Sequence, residues 1–157
     1  MKIKIVCVGK TINKYLIEGE NEYIKRLSHY NKVEKIEIPE IKNAKNLSQD
    51  QIKKVEGELI INHISPSDQV VLLDENGTVF SSKKFAQFMQ KKFNGGGKNL
   101  IFVVGGAYGF SEEVYALAND KISLSKMTFS HQMVRLFFLE QIYRAFTILK
   151  GEPYHHE

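Results

Sequence analysis

ISLSKMTFSHQMVRLFFLEQIYRAF, residues Ile122 to Phe146, is the stretch on which the fold turns. It reads as a short strand (Ile122, Leu124), a polar Ser-rich loop and one long apolar helix. Ser130 has the side chain of an N-cap, able to accept from a backbone N–H two or three residues on. Between Met133 and Leu149 there is neither Gly nor Pro, so a helix of about five turns is predicted. At roughly 100° per residue, His131, Gln132 and Arg135 fall on one side near its start, and Glu140, Arg144 and Thr147 roughly opposite, nearer its end. Met133, Val134, Leu136, Phe137, Phe138, Leu139, Ile142 and Phe146 fill almost every other direction. A helix apolar nearly all round needs cover on more than one side. Periodicity leaves open whether the chain's own core or a second copy supplies it.

Upstream, strand and helix patterns alternate. Lys2 to Val8 is predicted as a first strand ended by Gly9-Lys10, and Ile12 to Leu27 as a helix with Leu16, Tyr23 and Leu27 at helical spacing. Val33 to Ile38 alternates as a second strand, stopped by Pro39. After a polar connection, Ser48 caps a helix reaching about His63. Val70 to Leu73 forms a short strand, with Glu75-Asn76-Gly77 as the turn that closes it. Ser82 is predicted to cap a helix that turns Phe85, Phe88, Met89 and Phe93 inward. Leu100 to Val104, the most apolar short run, suits a central parallel strand covered on both faces. Ser111 caps a short helix with Glu112 and Glu113 in its first turn. The alternation predicts a single α/β domain over residues 1–157, a mainly parallel sheet with helices on both faces.

Composition bounds the function more loosely. With 43% hydrophobic and 25% charged residues, the chain is ordinary for a globular protein, and its net charge of +4 fits an anionic partner without requiring one. A lone cysteine, Cys7, excludes an internal disulfide framework and reads as a small buried hydrophobe. No signal-peptide core or membrane-length apolar run is visible, which predicts a cytoplasmic protein. Three predicted strand ends, Leu73-Asp74, Gly105-Gly106 and Leu124 to Phe129, converge where open α/β sheets bind ligands. The glycine pair lets backbone approach a ligand. A dinucleotide fingerprint fails, since Ala107 stands where the second glycine belongs, and no Walker A loop occurs.

LSKMTFSHQMVRLFFLEQIYRAF followed by GEPYHHE resembles the C-terminal signature of the ribosomal RNA large subunit methyltransferase H family, small enzymes of the SPOUT class. VCVGK (from Val6), LLDENG (from Leu72) and FVVGGAYG (from Phe102) follow the same pattern in the same order, so the resemblance covers essentially the whole chain. It implies a C-terminal trefoil knot, where periodicity alone would stop at an open sheet because knots are rare. It implies S-adenosylmethionine held by the glycine loop and the LSKMTF loop, at Leu73, Gly105, Leu124, Ser125, Lys126, Met127, Thr128 and Phe129. It implies a homodimer that methylates N3 of a pseudouridine in bacterial 23S rRNA on the assembled ribosome.

That imide nitrogen holds its proton at neutral pH, so the chemistry calls for a base and for positive charge beside the developing anion. The catalytic candidates are His131, Arg135, Arg144, Tyr154 and His155. For His131 a capping-region role competes with that of general base, and Arg144 has Glu140 one turn earlier as an alternative partner. His155, His156 and Glu157 are metal-ligand types in too small a number, and no metal is predicted. Lys2, Lys4, Lys10, Lys14, Lys25 and Arg26 give the N-terminal segment a positive excess suited to phosphates. The rival reading is a non-catalytic RNA-binding module of the same fold. The failed fingerprint disfavours an oxidoreductase.

Overall fold

The computed structural model of the protein describes residues 1–156, and Glu157 lies outside the described residues. Five strands form one sheet: β1 (Lys2–Val8), β2 (Val33–Ile38), β3 (Gln69–Val79), β4 (Asn99–Val104) and β5 (Asp120–Ser123). Their order is β2-β1-β4-β3-β5 and every pairing is parallel. The helices are α1 (Lys14–Leu27), α2 (Gln49–Ile61), α3 (Ser82–Asn94), α4 (Glu112–Leu117) and α5 (Met133–Lys150).

Period-two alternation in the strands divides the core. Ile3, Ile5, Cys7, Phe102 and Val104 point to the face covered by α1, α3 and α5, while Val6, Val8, Ile101 and Val103 meet α2 and α4. All six residues of β4 are buried, as expected for a strand covered twice. The expectation of a parallel sheet with helices on both faces is borne out. The trefoil knot does not follow from this strand order.

Local chemistry accounts for most boundaries. Ser48 closes a reciprocal capping box with Gln51 at the start of α2. The cap of α3 is Ser81, whose hydroxyl accepts from Lys84 N–H at 3.2 Å, one residue before the predicted Ser82. Ser130 accepts from the N–H groups of Gln132 at 3.2 Å and Met133 at 3.3 Å, the geometry its sequence position predicts.

The predicted Glu75-Asn76-Gly77 turn needs correcting. It does not end the strand: β3 continues to Val79, and Leu73 and Thr78 both stand opposite Ile122. Asp74 to Gly77 are extruded between them as a bulge, and the Asp74 carboxylate accepts from Asn76 N–H at 2.8 Å. Gly77 is required by close approach. A Cβ there would lie 2.5–2.7 Å from the backbone of Ile122.

The long helix α5 resolves its own ambiguity. Phe138, Leu139, Ile142, Ala145 and Phe146 face the core, and Phe138 sits edge-on to Phe102 with ring centroids 4.8 Å apart. Met133 and Phe137 stay exposed, at 38% and 45%. The second cover is therefore needed on the Phe137 side, whereas Phe138 belongs to the chain's own core.

Candidate active site

At the carboxyl ends of β3, β4 and β5 lies a cleft of about 520 Å³, within the range of small-molecule sites. Leu73, Gly105 and all of Leu124 to Phe129 line it, together with His131 and Val134 from the start of α5. The β3 bulge supplies a third wall, Asp74 to Asn76. The eight positions named for the cofactor from sequence thus surround one cavity.

Two loops shape the cleft. The glycine loop after β4 turns back on itself, with Gly109 N–H donating to Gly106 O at 3.3 Å and Gly109 at φ +84°, where glycine alone sits without strain. Gly105 runs against Phe110, and a Cβ on Gly105 would stand 3.0 Å from the ring. The loop after β5 is set by serines. Ser123 donates to Ser125 O at 2.8 Å, and Ser125 Oγ accepts from Met127 N–H at 3.0 Å. Between the bulge and α4, the Tyr115 hydroxyl donates to the Asp74 carboxylate. Burial, reinforced by that carboxylate, pushes the phenol up to about 12, so it remains a donor at neutral pH.

Arg135, a catalytic candidate on sequence, takes no place in the cleft. Its side chain is 1% exposed and donates to Val8 O at 2.7 Å, Gly9 O at 2.9 Å and Thr11 Oγ1 at 3.1 Å. Glu37 balances its charge 3.8 Å away. Burial works against the Glu37 carboxylate, but Thr11 N–H, Lys35 and Arg135 together outweigh it and hold the group below its ordinary value. Arg135 is an anchor between β1 and α5, on the core side of the helix. Gln132 adds a second tie, donating to Lys10 O at 2.9 Å and accepting from Ile12 N–H at 2.9 Å.

Arg144, Tyr154 and His155 are brought together, but elsewhere. Arg144 donates to Glu140 at 2.5 Å, contacts His155 Nδ1 at 3.1 Å and lies over the Tyr154 ring, 4.9 Å from its centroid. Tyr154 donates to Glu140 at 3.0 Å. Burial first, then the hydrogen bonds to Tyr23 and Glu140, push its phenol well above the ordinary tyrosine value. The tail is docked here through a Tyr30–Glu152 hydrogen bond. Arg144 thus takes Glu140 as its partner within a half-buried cluster, which lies roughly 15 Å along the helix from Val134 at 1.5 Å per residue. On the same 100° step, Met133, Phe137, Glu140 and Arg144 lie within about 60° of one another, on the side of the helix that carries the exposed Met133 and Phe137.

Sequence reasoning missed the Gln132 tie, the Asp74–Tyr115 bond and the buried Glu56 beneath the glycine loop. Only the bulge left a signal, in the turn residues of LLDENG. Among the described residues no group of three or more His, Cys, Asp or Glu is placed to hold a metal, and no helix is long and apolar enough to cross a membrane. The basic N-terminal residues do not form one patch: Lys2 and Lys4 open β1 at the end of the sheet away from the cleft, and Arg26 pairs with Glu22 at 2.7 Å. Lys10 and Lys14 are exposed beside the start of α5.

Comparison with known proteins agrees with this geometry. The family described as predicted SPOUT methyltransferase matches residues 1–155. A ribosomal RNA large subunit methyltransferase H from Christiangramia forsetii is 62% identical over 156 residues, 99% of each chain. Proteins of the same name from Flavobacterium johnsoniae and Parabacteroides distasonis are 59% and 58% identical over 157 residues, the full length of both chains. With a cleft of the right size at the right strand ends and relatives matching end to end, the chain belongs to the ribosomal RNA large subunit methyltransferase H family of SPOUT methyltransferases.

Proposed function

We propose that this protein methylates N3 of a pseudouridine in bacterial 23S rRNA, within the assembled ribosome, as a homodimer whose active sites are shared between subunits. It is an S-adenosylmethionine-dependent methyltransferase of large-subunit rRNA. The observation that carries the shared-site reading is the separation along α5. The cleft lies at one end of the helix and the cluster of Arg144, Tyr154 and His155 at the other, both bordering an uncovered apolar face. A two-fold axis near Phe137 would lay two α5 helices antiparallel and bring each cluster to the other subunit's cleft. Phe129, whose ring lies 5.4 Å from that of Phe137, extends the same surface. The trefoil knot of the family belongs to the same proposal.

The residues fit the cofactor. Gly105 and Gly106 bring bare backbone to the cleft, and Leu73 and Leu124 give it apolar walls. S-adenosylmethionine supplies a methyl group on a cationic sulfur. The protein must hold the acceptor base and manage one proton. Arg144 stabilises the negative charge that grows on the imide as N3 loses its proton. Tyr154, its phenol held protonated, spends its one proton on Glu140 and positions the Arg144 guanidinium over its ring. His131, in the cleft, takes the N3 proton as general base. Arg135 acts by holding α5 against β1. Lys10 and Lys14 meet rRNA phosphates, which raise affinity without reading sequence.

Radiolabelled methyl transfer to ribosomes from a strain lacking the enzyme, followed by mass mapping of 23S rRNA, tests the reaction. Label confined to one pseudouridine, with free 23S rRNA a poor substrate, is expected. Label on protein or on another nucleotide would overturn it. Phe137→Asp is expected to convert a dimer to a folded monomer in analytical ultracentrifugation, because a charge buried in the interface costs several kcal/mol. Wild-type protein sedimenting as a monomer at micromolar concentration would remove the dimer. Mixing Gly105→Val and Arg144→Ala subunits tests the sharing. Neither homodimer has a complete site, whereas each mixed dimer combines one intact cleft with the other subunit's intact cluster. Recovery of activity to about half the wild-type rate per mixed dimer is expected, and no recovery would mean that each subunit works alone.

A further inference from the structure

Behind the glycine loop lies a carboxyl group that neither the fold nor the reaction described above uses. Glu56, on α2, is 8% exposed, and its Oε1 is buried with no hydrogen-bond partner. Its other oxygen presses on the loop so closely that a Cβ on Gly106 would lie 2.7 Å from it. Gly106 itself lines the cleft, so one layer of backbone separates this carboxyl from any bound ligand. Helix α2 is also locked in place next door, where a Cβ on Gly57 would meet the Ser111 hydroxyl at 2.3 Å. Native proteins rarely leave a buried acid unpaired, and a core role would be filled better by an apolar side chain.

Among the described residues no cation acts on Glu56. Glu40, following β2, faces it with a like charge, and Lys53, one turn back on α2, pairs with Asp50 at 3.4 Å. Glu112 and Glu113 at the start of α4 are exposed. On the far side of the loop the cleft carries Asp74, Glu75, Lys126 and His131. Burial, with a smaller push from Glu40, holds the Glu56 carboxyl above the ordinary carboxylate range. A cation bound in the cleft would supply the counter-charge that favours the ionised form.

We infer that Glu56 determines specificity between the two forms of the cofactor: from behind Gly106 its carboxylate favours the cationic sulfonium of S-adenosylmethionine over the neutral thioether S-adenosylhomocysteine. Methyl transfer returns the electron pair of the broken carbon–sulfur bond to sulfur, so the ligand loses its positive charge in the reaction. The attraction is present for the reactant and absent for the product, which speeds exchange of one for the other. The amino-acid and adenosine parts are common to both ligands and cancel in the comparison.

In the empty protein the Glu56 carboxyl is raised and stays protonated to a higher pH than a free carboxylate. A cation in the cleft lowers it. Between the two values, binding S-adenosylmethionine releases a proton, and preference for the sulfonium grows as pH rises through the raised value.

This inference rests on the cleft being the cofactor site, and the test separates the two. Calorimetric titrations of both ligands are made across the neutral and mildly acidic range, in buffers of different ionisation enthalpy. Wild type is expected to release more protons with S-adenosylmethionine than with S-adenosylhomocysteine, and its preference to rise with pH. Glu56→Gln, which keeps the shape and removes the charge, is expected to weaken S-adenosylmethionine about tenfold at the high-pH end of the titration, where the wild-type carboxyl is ionised, the scale of one charge pair at ~10 Å across protein. It should leave S-adenosylhomocysteine unchanged and flatten the pH dependence of the ratio. An unaltered ratio in Glu56→Gln, equal loss of both ligands, or equal proton release in wild type would each overturn it. Gly105→Val removes both ligands alike if the cleft is the cofactor site, so its failure to do so would strike at the cleft and not at Glu56.

Discussion

Gly105→Val is expected to abolish binding of S-adenosylmethionine while the sheet and its helices remain folded. A Cβ at this position would meet the Phe110 ring at 3.0 Å, and the two methyl groups beyond it have only that buried ring or the cleft to enter. Forcing carbon into a close-packed contact costs about 1–3 kcal/mol, and here the same groups also occupy ligand space. A loss of at least about a hundredfold in affinity follows, ~2.7 kcal/mol. Calorimetry with the folded variant measures it. Unchanged affinity would move the cofactor out of this cleft and take the shared-site proposal with it.

Gly77→Ala is expected to do more damage for a single methyl group. The added carbon would lie 2.5–2.7 Å from backbone N, Cα and C of Ile122, atoms that no rotamer change can move. Relief requires parting β3 from β5 at the bulge, where Leu73 and Thr78 share Ile122. Ile122 leads directly into the loop at Leu124 to Phe129, so the lesion reaches the cleft. We expect a loss of about 3 kcal/mol or more in stability, at or above the upper end for overpacked sites, and loss of cofactor binding at temperatures where the rest of the fold survives. Chemical denaturation and amide exchange on β5 check this. A variant as stable as wild type would show that the bulge can relax.

What could be read from the sequence follows the range of the forces involved. Leu100 to Val104 announced a doubly covered strand because burial on both faces demands continuous apolar residues, and all six residues of β4 are buried. Ser48, Ser111 and Ser130 announced helix starts because a cap acts within three residues. The glycine loop and the LSKMTF loop were legible as a pair from the resemblance, and the structure sets them around one cavity.

Long-range pairings left no such trace. Arg135 reads from sequence as a catalytic candidate, because the acceptors that make it an anchor lie 124–127 residues away. Glu56 looked like one more acid on a charged helix, and only the approach of Gly106 distinguishes it. The turn at Glu75-Asn76-Gly77 was misplaced in its consequence because a turn signal cannot show that the strand resumes after it. The bulge exists only once β5 is beside β3.

The Arg135 anchor also bears on how this chain is made. The carbonyls of Val8 and Gly9 are synthesised 126–127 residues before the guanidinium on α5 that satisfies them. Until α5 has cleared the exit tunnel, the start of the protein cannot close over its own first strand. Glu37, across β2, meanwhile waits for the same cation. Strand pairing dominated by such distant partners folds slowly. An rRNA methyltransferase thus closes this corner only once α5 has been made, and a message cut short before codon 135 yields a chain with no means of sealing it.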